Sequence, residues 1–318
     1  MKIVFMGTPD YAVGALKALI QAGHEITAVV TQPDKAKGRS GQLQFPPVKE
    51  YAIQHHIPIF QPKRMKAPEA VEQMRTLSAD VFVVAAFGQI LSQEILDMPK
   101  FGCLNIHASL LPKYRGASPI QHVILNGEQT TGITIMQMDI GIDTGNILYQ
   151  KEIAIDRADT YATLYDKLTS LGGEAITEAL SLLEKGELAS IPQEDTRACH
   201  APLITKEMGR IDFTKDAYTI ELKVRGMNPW PSAFTVYRGK QLKIWEAVAE
   251  ETENQVVCSD VTENMGKILA VAKDHVVIGT GKGILKVYSL QLEGKKRMST
   301  RDFLLGVKMQ PGEKLGES

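Results

Sequence analysis

An amide and an imidazole lie two residues apart in the stretch Cys103–Gly116, which reads CLNIHASLLPKYRG. Because side chains alternate along a strand, Asn105 and His107 share one face, and the apolar residues beside them share the other. An imidazole can polarise a carbonyl group or pass a proton near neutral pH, and an amide N–H can hold a developing oxyanion. The pair therefore suits carbonyl chemistry, although two polar residues that cap backbone groups at a strand end would give the same pattern.

A second stretch, Met138–Asn146, alternates acids and glycines between two apolar runs. An acid in such a loop can reach a neighbouring strand end and orient an imidazole by accepting its N–H, and Asp143 is the candidate for this role toward His107. A calcium loop needs a third oxygen ligand, a glycine and a distal glutamate at fixed offsets, which this stretch lacks. An ordinary hairpin turn that uses Asp and Gly stays an open alternative.

The secondary-structure elements that position these residues are predicted to form an α/β domain. Apolar runs at 2–6, 25–31 and 80–87 predict buried parallel strands, and helical patterns cover 12–22, 47–56 and 67–77. We therefore predict a Rossmann-like, mostly parallel sheet with helices on both faces, in which the strand 102–107 lies beside the strand 80–87. The carboxyl ends of its strands are where such sheets bind ligands.

Two alternating runs, 132–138 and 147–155, flank the acid-containing loop and predict a hairpin. A helical pattern follows over 159–185, and we expect a kink at Gly172 and Gly173. Residues 187–203 lose all periodicity, and five short strand-like runs follow, with glycine-rich turns between them. The chain is thus predicted to comprise a catalytic domain (1–189), a linker (190–206) and a smaller OB-like β-barrel domain (207–318).

The residues Asn105 and His107, the run SLLPKYRG after them, and the loop DIGIDTG occur in the same order and spacing in one known family. In these stretches the chain resembles formyltransferases that use 10-formyltetrahydrofolate. Three more stretches, Met6–Asp10, Thr31–Arg39 and Asn228–Pro231, resemble the members of that family that act on methionyl-tRNA. The resemblance covers nearly the whole chain.

The resemblance implies transfer of a formyl group from 10-formyltetrahydrofolate to the α-amine of methionine on initiator methionyl-tRNA. It implies that Asn105 and His107 stabilise the oxyanion, and that Asp143 holds His107 and helps to move a proton. Folate-binding positions are expected at Phe87, Gly88, Ile90, Ser109, Leu110, Leu111, Pro112 and Asp139. tRNA-binding positions are expected at Lys35, Lys37, Arg39, Lys206 and Arg210, with the C-terminal domain as the main tRNA-binding region.

Three alternatives remain for the sequence. The first is a formyltransferase for a small amine, such as glycinamide ribonucleotide or an amino sugar nucleotide, which would use the same catalytic residues. The second is a non-catalytic RNA-binding protein, against which the complete Asn, His and Asp set argues. The third is a Rossmann oxidoreductase, but the first strand is followed by Gly7-Thr8-Pro9 and not by the three-glycine dinucleotide fingerprint.

Composition narrows the class of protein further. The chain has 318 residues, a net charge of -1 and 44% apolar residues, so RNA contacts must come from local basic patches. Its three cysteines, Cys103, Cys199 and Cys258, are far apart and form no CxxC pair, which argues against a disulfide framework or a zinc site. With no leader pattern and no run long enough to cross a bilayer, we expect a cytoplasmic monomer without a metal or a membrane partner.

Overall fold

The computed structural model describes residues 1–37, 42–251 and 264–316. Their contacts divide the chain into two compact units that interleave along the sequence. Unit 1 comprises Met1–Pro119, Thr130–Ala154 and Tyr165–Pro202, and unit 2 comprises Ile120–Gln129, Ile155–Leu164 and Leu203–Ser318. The sequence places its linker at 190–206, whereas residues up to Pro202 make their contacts within unit 1. The division into a catalytic and a tRNA-binding region stays a prediction.

Unit 1 is built around a seven-stranded sheet. The strands of this unit are β1 (Lys2–Gly7), β2 (Glu25–Val30), β3 (Lys35–Lys37), β4 (Gln42–Gln44), β5 (Ile59–Phe60), β6 (Val81–Ala85), β7 (Cys103–His107), β8 (Thr130–Gln137) and β9 (Ile147–Ala154). The order in the sheet is β5-β2-β1-β6-β7-β8-β9, while β3 and β4 pair with each other. Pairing is parallel from β5 to β7 and antiparallel from β7 to β9. The predicted mostly parallel sheet is confirmed.

Helices cover both faces of this sheet, as its apolar strands require. The helices of unit 1 are α1 (Asp10–Gln21), α2 (Pro47–Gln54), α3 (Pro68–Arg75), α4 (Gln93–Leu96) and most of α6 (Tyr161–Lys185). Met74 of α3 and Ile95 of α4 pack in one cluster with Cys103 of β7. Gly172 of α6 lies against Ile106, whose side chain points to the opposite face.

The long helix α6 runs without a break from Tyr161 to Lys185, through Gly172 and Gly173, and the kink expected there stays a prediction. The glycines also serve close packing. A Cβ atom on Gly173 would come within 2.9 Å of the Ala18 side chain in α1. Similarly, a side chain on Gly14 would overlap Thr169 of α6. Small residues at these points let the two helices approach each other beside the sheet.

The strand that carries the amide and the imidazole lies where the sequence predicts. β7 pairs in parallel with β6, with Val84 opposite Asn105, and antiparallel with β8, with His107 opposite Thr134. Because β6 and β7 are parallel, their carboxyl ends meet at one edge of the sheet. His107 is the last residue of β7, so it stands at that edge.

Unit 2 is organised around an antiparallel sheet that packs on α7 (Ala217–Gly226), and it also contains most of α5 (Pro119–Leu125) and the last helix, α8 (Thr300–Gly306). Its strands are β10 (Ala233–Tyr237), β11 (Lys240–Glu250), β12 (Ile268–Val271), β13 (Val276–Gly279), β14 (Ile284–Leu292) and β15 (Met298–Ser299). The order is β10-β11-β14-β13-β12, with β15 paired to β14. The five predicted strands are confirmed, and β11 is the longest of them, with 11 residues.

Apolar residues from every strand of the five-stranded path converge on one core in unit 2. Leu242 and Ile244 of β11 and Leu285 and Val287 of β14 are almost completely buried there. These residues alternate with exposed or half-buried ones, which is the pattern of a sheet with one face on the core. Among the described residues, no helix combines the length and apolar character that a bilayer span requires.

Candidate functional site

His107 is buried at the carboxyl end of β7, with 6% of its surface exposed. Its Nε2 atom lies 2.9 Å from the carbonyl oxygen of Tyr114, and since a carbonyl can only accept, Nε2–H is the donor. Its Nδ1 atom lies 3.5 Å from Oδ2 of Asp143. Both ring nitrogens therefore face oxygen atoms, and these two contacts fix the orientation of the ring.

Asp143 reaches His107 from the turn between β8 and β9. Its backbone adopts a φ of 55°, in the left-handed region that residues other than glycine rarely occupy. The backbone N–H of Gly116 donates to the same Oδ2 atom that faces the imidazole, at 2.8 Å. The carboxylate is thus fixed between a backbone donor and the ring, and its side chain is 15% exposed.

Asn105, His107 and Asp143 form the predicted catalytic trio. Asn105 differs from the other two because its amide has no partner among the described residues. The side chain is half-buried, on the same face of β7 as His107. Within the part of the chain that the structure describes, no group accepts a hydrogen bond from its amide nitrogen. An amide N–H that is positioned on a strand and unpaired can stabilise a negative oxygen that develops beside it.

The loop that follows β7 is anchored on the hairpin of β8 and β9. The hydroxyl of Thr134 donates to the carbonyl of Ser109 at 2.7 Å and accepts from the N–H of Leu111 at 3.0 Å. The amide of Gln150 donates to the carbonyl of Leu111 and to Thr134. Of the folate-binding positions predicted here, Ser109 and Leu111 are buried, whereas Leu110 and Pro112 are half-buried and accessible.

The predicted folate-binding positions after β6 lie in a turn that leaves the sheet at the same edge. Phe87 is buried, and its carbonyl accepts from Thr8 and Gln32, each at 3.1 Å. Gly88 has a φ of 78° and is exposed, and Ile90 shows 64% of its surface. Exposed backbone and an exposed apolar side chain are thus available beside the carboxyl end of β7.

Asp139 is the remaining folate-binding prediction, and the structure gives it a local partner. Its carboxylate accepts from the N–H of Gly141 at 2.9 Å and from the hydroxyl of Thr144 at 2.7 Å. These bonds close the turn that presents Asp143. Gly145 completes the turn, because a Cβ atom there would overlap the carbonyl oxygen of Gln137.

Of the predicted tRNA-binding residues in the loop after β2, Arg39 lies outside the described residues. Lys37 pairs through its backbone with Gln42 in the ribbon of β3 and β4, and Lys35 of the same ribbon is exposed. The base of the ribbon is fixed by Asp34, which accepts from Lys49 at 2.6 Å and from Gln61 at 2.8 Å. These two hydrogen bonds, first that of Gln61 and then that of Lys49, lower the pKa of Asp34.

The other two predicted tRNA-binding residues, Lys206 and Arg210, lie in unit 2. They flank a short 3-10 helix, Glu207–Gly209, and both are exposed. The ammonium group of Lys223 donates to the carbonyl of Arg210 at 2.8 Å, which fixes the backbone there. The arrangement leaves two exposed cationic side chains at the two ends of this short helix.

Sequence reasoning missed one group of residues that surrounds the trio. Arg115 is buried, and its guanidinium donates to Oε1 of Gln193 through Nε and Nη2, at 3.0 and 2.9 Å. Gln193 in turn donates to the carbonyl oxygens of Asp143 and Gly145. The sequence gives Gln193 no signal of its own, because it lies in a stretch without periodicity that we interpret as a linker.

Cys103 lies next to this site but does not supply a nucleophile. The side chain is completely buried in the apolar cluster of β7, α3 and α4. Burial, with a smaller contribution from the charge of Asp97, raises the pKa of the thiol to about 12. The group therefore stays a neutral thiol at physiological pH.

Two other features of the described chain carry no part of the predicted site. A cavity of about 850 Å³ lies in unit 2, lined among others by Arg157, Asp216, Tyr218 and Lys282, and it includes none of the predicted site residues. Its walls carry five acidic and three basic side chains. No group of three or more His, Cys, Asp or Glu residues in the described ranges is arranged to hold a metal ion.

Comparison with known sequences places the chain among proteins of one activity. The formyl transferase family matches residues 1–180, and the C-terminal domain of formyl transferases matches residues 203–308. A methionyl-tRNA formyltransferase of Lachnospira eligens is 47% identical over 317 residues, which cover 100% of both chains. One of Geobacter metallireducens is 48% identical over 316 residues, which cover 99% of both.

Comparison with solved structures shows a shared fold at low sequence identity. The sugar 3N-formyl transferase WlaRD, crystallised with dTDP and 5-N-formyl-THF, superposes with a TM-score of 0.67 at 21% identity, covering 93% of this chain and 99% of that one. An N-formyltransferase of Helicobacter canadensis, in complex with folinic acid and dTDP-3-aminofucose, gives 0.68 at 20% identity, covering 94% and 100%.

Proposed function

Since the chain belongs to the formyl transferase family, we propose that it transfers a formyl group from 10-formyltetrahydrofolate to the α-amino group of methionine on initiator methionyl-tRNA. The observation that carries this proposal is the trio at the edge of unit 1. An amide and an imidazole on β7 lie there with a carboxylate from the turn between β8 and β9, and the amide is unpaired among the described residues. The enzyme would work as a monomer in the cytoplasm.

The donor supplies a formyl carbon that a neutral amine can attack directly. An α-amino group titrates at about pH 8 in simple models, so part of it is neutral without help from a base. Asn105 would donate its free N–H to the formyl oxygen as negative charge develops on it, and His107 would help to stabilise this oxyanion. Asp143 would hold the ring and, through water, help to carry the proton that the amine loses to the folate nitrogen that gains it.

The residues around the trio fit a folate donor. Leu110 and Pro112 offer accessible apolar surface on one side of the edge, and Gly88 and Ile90 offer exposed backbone and an aliphatic side chain on another. Phe87, Ser109 and Leu111 are buried and would shape the loops, while Asp139 would act by closing the turn of Asp143. We therefore assign direct folate contacts to the accessible members of the predicted set.

The proposed acceptor rests on the full-length relatives, which are methionyl-tRNA formyltransferases. Exposed cations at Lys35 in unit 1 and at Lys206 and Arg210 in unit 2 would contact tRNA phosphates. Arg39 and Lys37 are the other two tRNA-binding residues predicted in the loop after β2.

A single assay tests this function. Purified protein would be incubated with 10-formyltetrahydrofolate and one acceptor at a time: charged initiator tRNA, free methionine or glycinamide ribonucleotide. We expect formyl transfer to the charged tRNA and none above background to the small amines, with the Asp143→Ala variant as a control whose turnover is at least about 100-fold lower. Efficient transfer to glycinamide ribonucleotide, or no transfer to the charged tRNA, would overturn the proposal.

A further inference from the structure

We propose that Gln193 is a positioning residue that sets the conformation of the Asp143 turn, and that Arg115 fixes Gln193 for this task. The inference rests on the proposed function, because Asp143 is one of its catalytic residues. Gln193 touches neither His107 nor Asn105 by any hydrogen bond among the described residues. It acts on the reaction through the backbone that carries the Asp143 carboxylate.

The first step of the argument is the strained backbone at Asp143. Its φ of 55° lies in a region that residues other than glycine enter only when the surrounding structure holds them there. The Nε2 atom of Gln193 donates to the carbonyl oxygen of Asp143 at 2.8 Å and to that of Gly145 at 2.7 Å. One side chain thus bridges two carbonyl groups of the same turn and opposes its relaxation.

The second step is the orientation of the Gln193 amide, which the chemistry of its partners dictates. A guanidinium has only donors and a carbonyl only acceptors, so Oε1 must face Arg115 and Nε2 must face the turn. Arg115 supplies two N–H groups to Oε1, at 3.0 and 2.9 Å, and a third bond at 2.8 Å to Asp195. A carboxamide suits this position, because its oxygen can accept from Arg115 while its NH₂ group donates to both carbonyl oxygens of the turn.

The third step is that the segment around Arg115 holds His107 and Asp143. The carbonyl of Tyr114 accepts from His107, the side chain of Arg115 holds Gln193, and the N–H of Gly116 donates to Asp143. These three consecutive residues are themselves fixed by the segment that follows Gln193. The N–H of Arg115 donates to the carbonyl of Cys199 at 2.9 Å, and Ala201 donates back to Arg115 at 2.7 Å.

This geometry shows why the 193–201 segment matters to the site although it contains no catalytic group. It forms backbone hydrogen bonds with the loop after β7 through Cys199 and Ala201, and it holds the Asp143 turn through Gln193. A shift of about 1 Å in a catalytic carboxylate can lower a rate by about 100-fold. Gln193 is therefore expected to control turnover more than the affinity for either substrate.

The test uses Gln193→Leu, which removes the donors and the acceptor, and Gln193→Glu, which keeps the acceptor for Arg115 but cannot donate to the turn. We expect both variants to lower kcat by about 10- to 100-fold while the KM values change by less than about twofold. Gln129→Leu is the matched control, because Gln129 also donates to a loop carbonyl, that of Gly127, in unit 2. It should keep wild-type kcat.

A double-mutant cycle separates positioning from a merely structural role. If Gln193 acts through Asp143, then Gln193→Leu should change kcat by less than about twofold in an Asp143→Ala background. Equal losses in both backgrounds, or wild-type kcat in both Gln193 variants, would overturn the proposal. Thermal melting of each variant identifies a folding defect. If Gln193→Leu has such a defect, the kcat of Gln193→Glu alone decides whether the proposal stands.

A second readout needs no acceptor and so stays informative if the proposed function is wrong. The ¹⁵N resonances of the His107 ring, in protein labelled at histidine, report the surroundings of Nδ1. We expect Gln193→Leu to move them toward their positions in Asp143→Ala. Unchanged resonances would contradict the positioning role, whatever amine the enzyme formylates.

Discussion

At the level of single residues, the site is a set of three polar side chains with unequal surroundings. Both nitrogens of His107 face oxygen atoms, and Asp143 is held by a backbone N–H. The amide of Asn105 has no partner in the described structure. His107 and Asp143 thus contact each other, and the amide of Asn105 is available to interact with a bound molecule.

This difference predicts how the three alanine variants behave. Replacing Asn105, His107 or Asp143 should lower turnover by at least about 100-fold, because each replacement removes oxyanion stabilisation or the group that holds it. The free energy of unfolding should fall by no more than about 1–3 kcal/mol, with the largest loss at buried His107. Steady-state formyl transfer and chemical denaturation measure the two effects.

A matched control for these variants is His24→Ala, since His24 precedes β2 at the opposite end of the parallel sheet. It should keep full turnover. Near wild-type turnover in all three site variants would show that the trio is not the catalytic centre.

At the level of elements, the site depends on where strands and helices end. β7 ends at His107, and the turn between β8 and β9 brings Asp143 back to it across the antiparallel edge of the sheet. In unit 2, α7 begins at a defined cap. The carboxylate of Asp216 accepts from the backbone N–H of Thr219 at 2.8 Å and also from its hydroxyl. Such caps stabilise the first turn of a helix.

Removal of this cap should weaken unit 2. Asp216→Ala is expected to lower the free energy of unfolding by about 1 kcal/mol at neutral pH, whereas Asp216→Asn, which can still cap, should lose less. Hydrogen bonds from the hydroxyl and then the N–H of Thr219 lower the pKa of Asp216 from 3.8. Its contribution is therefore complete above the unfolded-state pKa and disappears as the pH falls through the lower folded-state value.

Denaturant unfolding from pH 7 to acid tests this expectation. The difference in stability between the wild type and Asp216→Ala should shrink in acid. A difference that stays constant down to the pH where the carboxylate is protonated would rule out the capping role of the charged group.

At the level of the whole molecule, the chain carries almost no net charge, so it has no general attraction for RNA. Binding of a tRNA must then depend on a few cations at defined places. Lys206 and Arg210 are exposed beside a short 3-10 helix in unit 2, and they are the tRNA-binding residues predicted in that unit.

Neutralising these cations should weaken the salt dependence of tRNA binding. For Lys206→Gln and Arg210→Gln combined, we expect a higher KM for charged tRNA and a log–log salt slope that is smaller by about one for each phosphate that the variant no longer binds. The KM for the folate donor should not change. Lys17→Gln, at an exposed lysine of α1, is the matched control. An unchanged salt slope would place the tRNA-binding surface elsewhere.

Much of the fold followed from local patterns. Buried strands appear as continuous apolar runs, helices as a period near 3.6, and the shared face of Asn105 and His107 follows from the period of two in a strand. The five strands of unit 2 were predictable for the same reason. The packing role of Gly172 and Gly173 was not predictable, because their neighbours Ile106 and Ala18 are distant in the sequence.

The amino-acid sequence by itself determined the elements, the polar face of β7 and the family resemblance. Only the tertiary structure decided that Asp143 stands 3.5 Å from His107 and that Gln193 bridges its turn to Arg115. Gln193 is separated from Asp143 by 50 residues and from Arg115 by 78. Contacts at such separations arise from the packing of the whole unit, and no periodicity along the chain encodes them.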